Sequence, residues 1–154
     1  MQIKPILELS QDIVALIQQS RQHMADLYPA DSIYQEDSYC LLESNVYFVG
    51  GYLDSELTGI GAVKKFDTCP RYGEIKNLFV DREYRGRGVS RLIMGALEQH
   101  LIEQKITLCR LETGVNQPES ISLYRTLGYT KTTVYGDYKP DQFSVFMQKE
   151  ILPE

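Results

Sequence analysis

The chain has 154 residues, of which 43% are hydrophobic and 24% charged, a balance that is typical of one globular domain over residues 1–154 and untypical of a disordered chain. The net charge of −5 argues against a general nucleic-acid binder and favours cationic small substrates. The three cysteines are too few and too irregularly spaced for a disulfide framework or a zinc site, so no metal is expected.

The N-terminus and the hydropathy of the chain bear on its location. The first residues, Met1-Gln2-Ile3-Lys4-Pro5, are not followed by the apolar run of a signal peptide. The sequence also lacks a stretch of about 20 apolar residues that could span a membrane. We therefore expect a cytoplasmic protein without a membrane partner.

Hydrophobic periodicity in the first half predicts a strand, an amphipathic helix and a hairpin. Ser10 fits the N-cap of the helix, and Asp12 suits the positive end of the helix dipole. The pair Asp54-Ser55 is a tight turn between the hairpin strands. The predicted elements are a strand over 3–9, a helix over 11–27, a loop or broken helix over 28–44, and strands over 45–53 and 56–66.

The second half alternates strands with helices. Pro118 and Gly128 mark the start and the end of the shorter helix. The predicted elements are a strand over 72–80, a helix over 89–103, a strand over 106–113, a helix over 118–127, and strands over 130–135 and 143–149. This order predicts a mixed sheet with helices on its faces, an α/β (or α+β) domain.

The segment between the 72–80 strand and the 89–103 helix has the features of a phosphate cradle. The N-terminus of a helix offers unpaired N–H groups and a positive dipole end. Gly86 and Gly88 lack the Cβ atoms that would keep a pyrophosphate from the backbone, and Arg85 and Arg87 add positive charge. Without Gly-Lys-Ser/Thr it is not a Walker loop, and Arg91 replaces the third glycine of a dinucleotide fingerprint. A plain surface turn with two glycines remains the alternative.

Two motifs of the chain resemble those of the GNAT superfamily of N-acetyltransferases. Arg85, Gly88 and Ser90 match its acyl-CoA signature Gln/Arg-x-x-Gly-x-Gly/Ala, with a serine in place of the small last residue. Asn116, followed by Leu123-Tyr124 and Gly128-Tyr129, is similar to the second motif, Asn…Ala-x-x-Leu-Tyr-x-x-x-Gly-Phe. The resemblance covers roughly residues 3–149 and implies a GNAT-like fold, a central mixed sheet of about seven strands flanked by about four helices.

The resemblance also implies the co-substrate and its contacts. Acetyl-CoA would lie in a cleft where two parallel strands splay apart, with its pantetheine along the backbone of Leu78, Phe79 and Val80. The pyrophosphate would accept hydrogen bonds from the N–H groups of Arg85, Gly86, Arg87, Gly88, Val89 and Ser90. Asn116 would help to hold the co-substrate, and the phenol of Tyr124 would reach its sulfur.

Transfer of the acetyl group to an amine needs a base and an acid, because an aliphatic amine is mostly protonated at pH 7. Glu74 stands at the strand position where several family members carry a catalytic glutamate. Period-two alternation places it on one strand face with Lys76, Leu78 and Val80. Glu112 on the neighbouring strand is the competing base or a substrate-binding carboxylate. Tyr124 is the expected acid for the departing thiolate, and its alternative role is core packing.

The acceptor site is expected in the segments 28–42 and 135–142, which are rich in tyrosine and acidic residues. Tyr34, Glu112 and Tyr138 are the candidate substrate-binding residues, since such a lining suits a cationic amine by charge and cation–π contact. Tyrosines that merely cover the core remain the alternative. Leu111-Glu112-Thr113-Gly114 and the 135–138 segment resemble a bacterial subgroup whose acceptors are mostly unassigned.

The hypothesis is therefore an enzyme that acetylates a primary amine, on a small molecule, an amino acid-like compound or a peptide, by direct attack in a ternary complex. The alternative is a catalytically idle acyl-CoA-binding sensor. Dimers are common among similar proteins, so a homodimer is compatible with the resemblance.

Overall fold

The computed structural model describes residues 1–34 and 36–152, and within them seven strands and three α-helices form a mixed α/β fold. The predicted fold class is confirmed. In chain order the elements are β1 (Gln2–Pro5), α1 (Gln11–Leu27), β2 (Val46–Leu53), β3 (Glu56–Phe66), β4 (Tyr72–Val80), α2 (Val89–Glu103), β5 (Leu108–Gly114), α3 (Pro118–Thr126), β6 (Thr130–Lys131) and β7 (Ser144–Glu150).

All strands belong to one sheet in the order β1-β2-β3-β4-β5-β7-β6. The neighbouring strands are antiparallel except β4 and β5, which are parallel and joined through α2. Their pairing is short, since only Gly73–Ile75 of β4 faces Cys109–Leu111 of β5. In the described part of the chain, the later residues of β4 therefore have no strand partner on the β5 side, and the two strands separate there.

A β-bulge lies in β4 just after this paired segment. Asn77 has a φ of 55°, and the pairing with β3 shifts so that Gly61 alone faces two residues of β4. Leu78 consequently packs on the α2 side, whereas Glu74 and Lys76 face the other side. The prediction that Glu74, Lys76, Leu78 and Val80 share one face is wrong, because the extra residue inverts the alternation.

Helices cover both faces of the sheet. The apolar stripe of α2 is fully buried against one face, where Ile93, Leu97 and Leu101 meet Leu111 and Met147. On the other face Ile13, Leu16 and Ile17 of α1 pack with Phe48, Ile60 and Phe79. None of the helices in the described residues is long and apolar enough to cross a bilayer.

A polar network inside the α2 side joins α2 to β5 and β7. The Tyr129 hydroxyl donates to Glu98 Oε2 at 2.7 Å and lies 3.1 Å from Cys109 Sγ. Lys149 Nζ donates to Glu98 Oε1 at 2.8 Å. Each of these buried or partly buried polar groups has a partner, so the network joins α2 to Tyr129 and β7.

Several element boundaries differ from the prediction. The first strand ends at Pro5 instead of residue 9, because Ile6 and Leu9 turn to pack on the α1 side while Leu7 projects into solvent. The segment 28–44 contains two 3₁₀ turns, over 30–32 and 38–42, so the described residues form three α-helices and not about four. The strand predicted over 130–135 stops at Lys131, because Tyr135 leaves the strand to pack on Tyr72.

The β2–β3 hairpin turn was predicted correctly. Asp54 and Ser55 have φ values of 49° and 69°, the left-handed pair that a two-residue hairpin turn requires.

Candidate active site

The turn before α2 is open to an approaching anion. Gly86 and Gly88 have φ values of 78° and 79°, a region that residues with a Cβ rarely adopt. Around the position that a Cβ would take at either glycine, no heavy atom of the described chain lies within 4 Å. Gly88 is the N-cap of α2 and offers no side-chain cap, so the first N–H groups of the helix face outward without a partner from that residue.

A groove of about 760 Å³ extends from this turn across the separated end of β4. Its wall contains most of the residues predicted to hold the co-substrate: Leu78, Phe79, Val80, Arg85, Gly86, Gly88, Val89, Ser90 and Asn116. The Arg85 side chain folds back, since its Nε donates to the Val80 carbonyl at 3.2 Å. Arg87 and Tyr124 do not line this groove; Arg87 instead lies over the Tyr84 ring at 5.3 Å.

The groove also contains residues that the sequence analysis did not single out, among them His23 and Leu27 from the end of α1. Burial, followed by the nearby charges of Arg85 and Arg82, lowers the pKa of His23, so this imidazole is neutral at pH 7. The four-residue spacing of His23 and Leu27 places both on one face of α1. That spacing was visible in the sequence, but it could not show that this face borders the groove.

Asn116 is tied to the end of α1. Its Nδ2 donates to the Leu27 carbonyl, and its backbone N–H donates to the Tyr28 hydroxyl, both at 3.1 Å. The same hydroxyl donates to Gln117 Oε1 at 3.0 Å. A Cβ at Gly114 would overlap this hydroxyl. The contacts hold the turn between β5 and α3 against α1, at one end of the groove.

Tyr124 is 7% exposed and packs edge-to-face on Tyr129, with ring centroids 5.8 Å apart. Burial above all, and then the neighbouring Cys109 and Glu112, raises its pKa. The phenol therefore stays protonated at neutral pH.

Glu74 is almost completely buried, with 3% of its surface exposed. The Tyr135 hydroxyl donates to its Oε2 at 2.5 Å, and Lys76 Nζ lies 3.5 Å from its Oε1. Lys76 also contacts Glu36 Oε1 at 3.1 Å. Burial on its own would lower the pKa of Lys76, but the charges of Glu74 and Glu36 outweigh burial and raise it.

Glu112 is in a different electrostatic state. It is partly buried, and within the described residues it forms no ion pair. Burial raises its pKa to about 7, with the charges of Glu74 and Asp141 acting in the same direction; the Ser144 hydroxyl and Lys76 oppose them. The carboxyl group is therefore close to half-ionised at neutral pH.

The structure brings the three predicted acceptor residues to one place. The rings of Tyr34 and Tyr138 are perpendicular with centroids 5.2 Å apart, and the Tyr34 hydroxyl donates to Asp141 Oδ2 at 3.1 Å. The charge of Glu112 contributes to raising the pKa of both tyrosines. Tyrosine rings and carboxylates thus meet beside the separated ends of β4 and β5.

Two parallel strands that separate beside a glycine turn and a helix N-terminus define the class of acyl-CoA N-acyltransferase folds. The putative acyl-CoA N-acyltransferase from Klebsiella pneumoniae subsp. pneumoniae has this fold, with a TM-score of 0.79, 25% identity and coverage of 98% of this chain and 97% of its own. The chain itself belongs to the acetyltransferase (GNAT) family, whose model matches residues 11–129. It is therefore an acyltransferase that uses acetyl-CoA as the acetyl donor.

Two further proteins are similar to this chain, one in sequence and one in fold. An IAA acetyltransferase from Azospirillum brasilense is 33% identical over 143 residues, which cover 93% of each chain. An aminoglycoside 6'-N-acetyltransferase solved with coenzyme A shares the fold, with a TM-score of 0.74, 16% identity and coverage of 100% of this chain and 99% of its own.

Proposed function

We propose that the enzyme acetylates a primary amine by direct attack on acetyl-CoA in a ternary complex. The observation that carries this proposal is the separation of β4 and β5 beyond Ile75 and Leu111. A groove with a glycine turn lies along it, and a cluster of carboxylates and tyrosines lies beside it. A donor and an acceptor can therefore occupy the site at the same time.

The groove fits acetyl-CoA in its size and in its chemistry. The backbone of Leu78, Phe79 and Val80 has no partner strand on the β5 side within the described residues and is available to the pantetheine amides. The N–H groups of residues 85–90 are available to the pyrophosphate, in the way that helix N-termini bind anions. Asn116, which lines the groove, completes the proposed contacts, and Arg87 adds positive charge to the turn.

The proposed transfer uses one group that takes a proton and one that gives a proton. A carboxylate of the site takes a proton from the acceptor ammonium, because an aliphatic amine titrates near about 10 and is mostly protonated at pH 7. Tyr124, whose pKa is raised by burial, keeps its proton until a thiolate needs it. No metal has a role in this proposal.

The surroundings favour a cationic acceptor. Glu112 and Asp141 supply negative charge, and Tyr34 and Tyr138 supply ring faces for an ammonium group. Acceptors on small molecules, amino acid-like compounds and peptides all share that group. A cytoplasmic location and a homodimer stay predictions.

The test is the release of CoA thiol from acetyl-CoA in the presence of tyramine, spermidine, L-lysine and an alanyl peptide. Tyr124→Phe should lower kcat by about 100-fold or more, because general acid catalysis of this kind contributes that much, and should leave the Kd of acetyl-CoA unchanged. Tyr47→Phe is the matched control, because Tyr47 lies on β2, stacks on His100 and does not line the groove. Absence of acetyl-CoA binding to the wild-type protein would refute the proposal.

A further inference from the structure

We propose that Glu112 is the carboxylate that receives the proton of the acceptor ammonium, and that Glu74 is a positioning residue that acts through Glu112. This inference rests on the proposed function, because it concerns the same acetyl transfer.

The position of the two residues along the strands separates them first. Glu74 lies in the middle of the segment where β4 and β5 pair, opposite Arg110. Glu112 is two residues beyond Arg110, on the same face, and is the first residue after the pairing ends. Glu112 is therefore at the place where the two strands separate, whereas Glu74 lies within the paired segment.

Neighbouring side chains occupy both carboxylate oxygens of Glu74. It is buried, the Tyr135 hydroxyl donates to one of its oxygens at 2.5 Å, and Lys76 lies 3.5 Å from the other. Breaking a buried pair of this kind is costly, so these oxygens are not free to contact an incoming ammonium group. The contacts suit Glu74 to a positioning role.

Glu112 forms no ion pair among the described residues and is partly exposed. The Ser144 hydroxyl lies beside it and favours its ionised form. Charged and titratable groups from several elements surround Glu112. They are Glu74 and Lys76 of β4, Asp141 and Ser144 near the start of β7, and the tyrosines Tyr28, Tyr34, Tyr124, Tyr135 and Tyr138. Burial and the two negative charges raise the pKa of Glu112 to about 7, which suits a base at neutral pH.

The charges of the two glutamates act on overlapping sets of tyrosines. Both raise the pKa of Tyr135 and of Tyr138. Glu112 also contributes to raising the pKa of Tyr124, the proposed acid, whereas Glu74 contributes to raising that of Tyr72. The proposed base and acid are Glu112 and Tyr124.

The protons of the reaction balance with these two residues. The ammonium gives one proton to Glu112, and the resulting amine nitrogen bonds to the carbonyl carbon of the thioester. The carbon–sulfur bond breaks, and the thiolate takes the proton of the Tyr124 hydroxyl. The excess proton on the acylated nitrogen returns to Tyr124, and Glu112 releases its proton to solvent. One ammonium and one thioester thus give one amide, one thiol and one proton.

The experiment compares Glu112→Gln, Glu112→Asp and Glu74→Gln through the pH dependence of kcat/KM, with the best acceptor of the panel above. A base must be deprotonated, so activity of the wild type should be lost as pH falls through about 7. Glu112→Gln should lower kcat/KM by about 100-fold and abolish the acidic limb of the pH profile, that is, the fall in kcat/KM as pH decreases. Glu112→Asp should keep the limb at lower activity. Glu150→Gln, exposed at the end of β7, is the matched control.

Glu74→Gln should keep the limb and move it to lower pH, because it removes a negative charge that raises the pKa of Glu112. Carboxyl ¹³C NMR of the protein without substrates, assigned with Glu112→Gln, should show the same titration and the same shift. A limb that persists in Glu112→Gln, or that disappears in Glu74→Gln, overturns the inference while acetyl-CoA turnover by the wild type stands. Absence of that turnover refutes the proposed function itself.

Discussion

Gly88 and Gly95 stand at the start and in the middle of α2, and an alanine at each adds the same methyl group with opposite expected consequences. Neither position has a heavy atom within 4 Å of the added Cβ in the described structure, so no clash contributes. Gly88 has a left-handed φ of 79°, whereas Gly95 lies inside the helix and is exposed. The backbone alone therefore decides the sign of the change in stability.

The magnitudes follow from the two conformations. A left-handed residue with a Cβ costs about 1–2 kcal/mol, and alanine in place of glycine inside a helix contributes about 0.5–1 kcal/mol. For a domain of this size, each kcal/mol moves Tm by about 2–4 °C. Gly88→Ala should thus lower Tm by roughly 2–8 °C, and Gly95→Ala should raise it by roughly 1–4 °C.

Thermal unfolding followed by circular dichroism measures these shifts in Tm. Isothermal titration calorimetry measures the effect of each substitution on acetyl-CoA binding. Gly88 lines the groove, so the added methyl group should raise the Kd about 10-fold, equivalent to about 1.4 kcal/mol. Gly95 does not line the groove, so its variant should bind acetyl-CoA as the wild type does. A Gly88→Ala protein with unchanged Tm and unchanged Kd would refute the reasoning about this turn.

Two further predictions concern the groove as a whole. Acetyl-CoA at 100 times its Kd should stabilise the protein by about 2.7 kcal/mol and raise Tm by roughly 5–10 °C; a scanning calorimeter that detects no shift would contradict binding to the folded state. Gly114→Ala should displace the Tyr28 hydroxyl and its two hydrogen bonds, at a cost of about 1–3 kcal/mol. Urea unfolding measures this loss, and an unchanged midpoint would show that Tyr28 has room to move.

The sequence predicted what depends on local pattern. The helix over 11–27, the turn at Asp54-Ser55 and the glycine turn before α2 follow from periodicity, capping and composition, and the structure confirms them. The bulge at Asn77 could not be predicted, because a single left-handed asparagine leaves no trace in an alternating pattern. The end of β6 was missed for another reason: the place of Tyr135 is decided by Tyr72, which is more than sixty residues earlier in the chain.

In the candidate site, too, the local features could be predicted from the sequence and the long-range contacts could not. The motifs predicted most of the residues that line the groove, since the helix N-terminus is a local feature, but Arg87 and Tyr124 lie outside it. The difference between Glu74 and Glu112 was not visible, because both are strand glutamates in the sequence. The two glutamates differ in their contacts. Tyr135 and Lys76 contact the carboxylate of Glu74, whereas Glu112 has no ion pair among the described residues.

The bulge at Asn77 has a consequence for how such an enzyme can diversify. Upstream of it, the side chains of Glu74 and Lys76 lie on the face of the proposed acceptor site. Downstream, the side chain of Leu78 packs on the α2 side, and its backbone is the proposed contact of the donor. The first half of β4 thus presents side chains to the proposed acceptor site, and the second half presents main-chain groups to the proposed donor site. Substitutions in the first half can retune the choice of acceptor while the second half, whose donor contacts need no particular side chain, continues to bind the same acetyl donor.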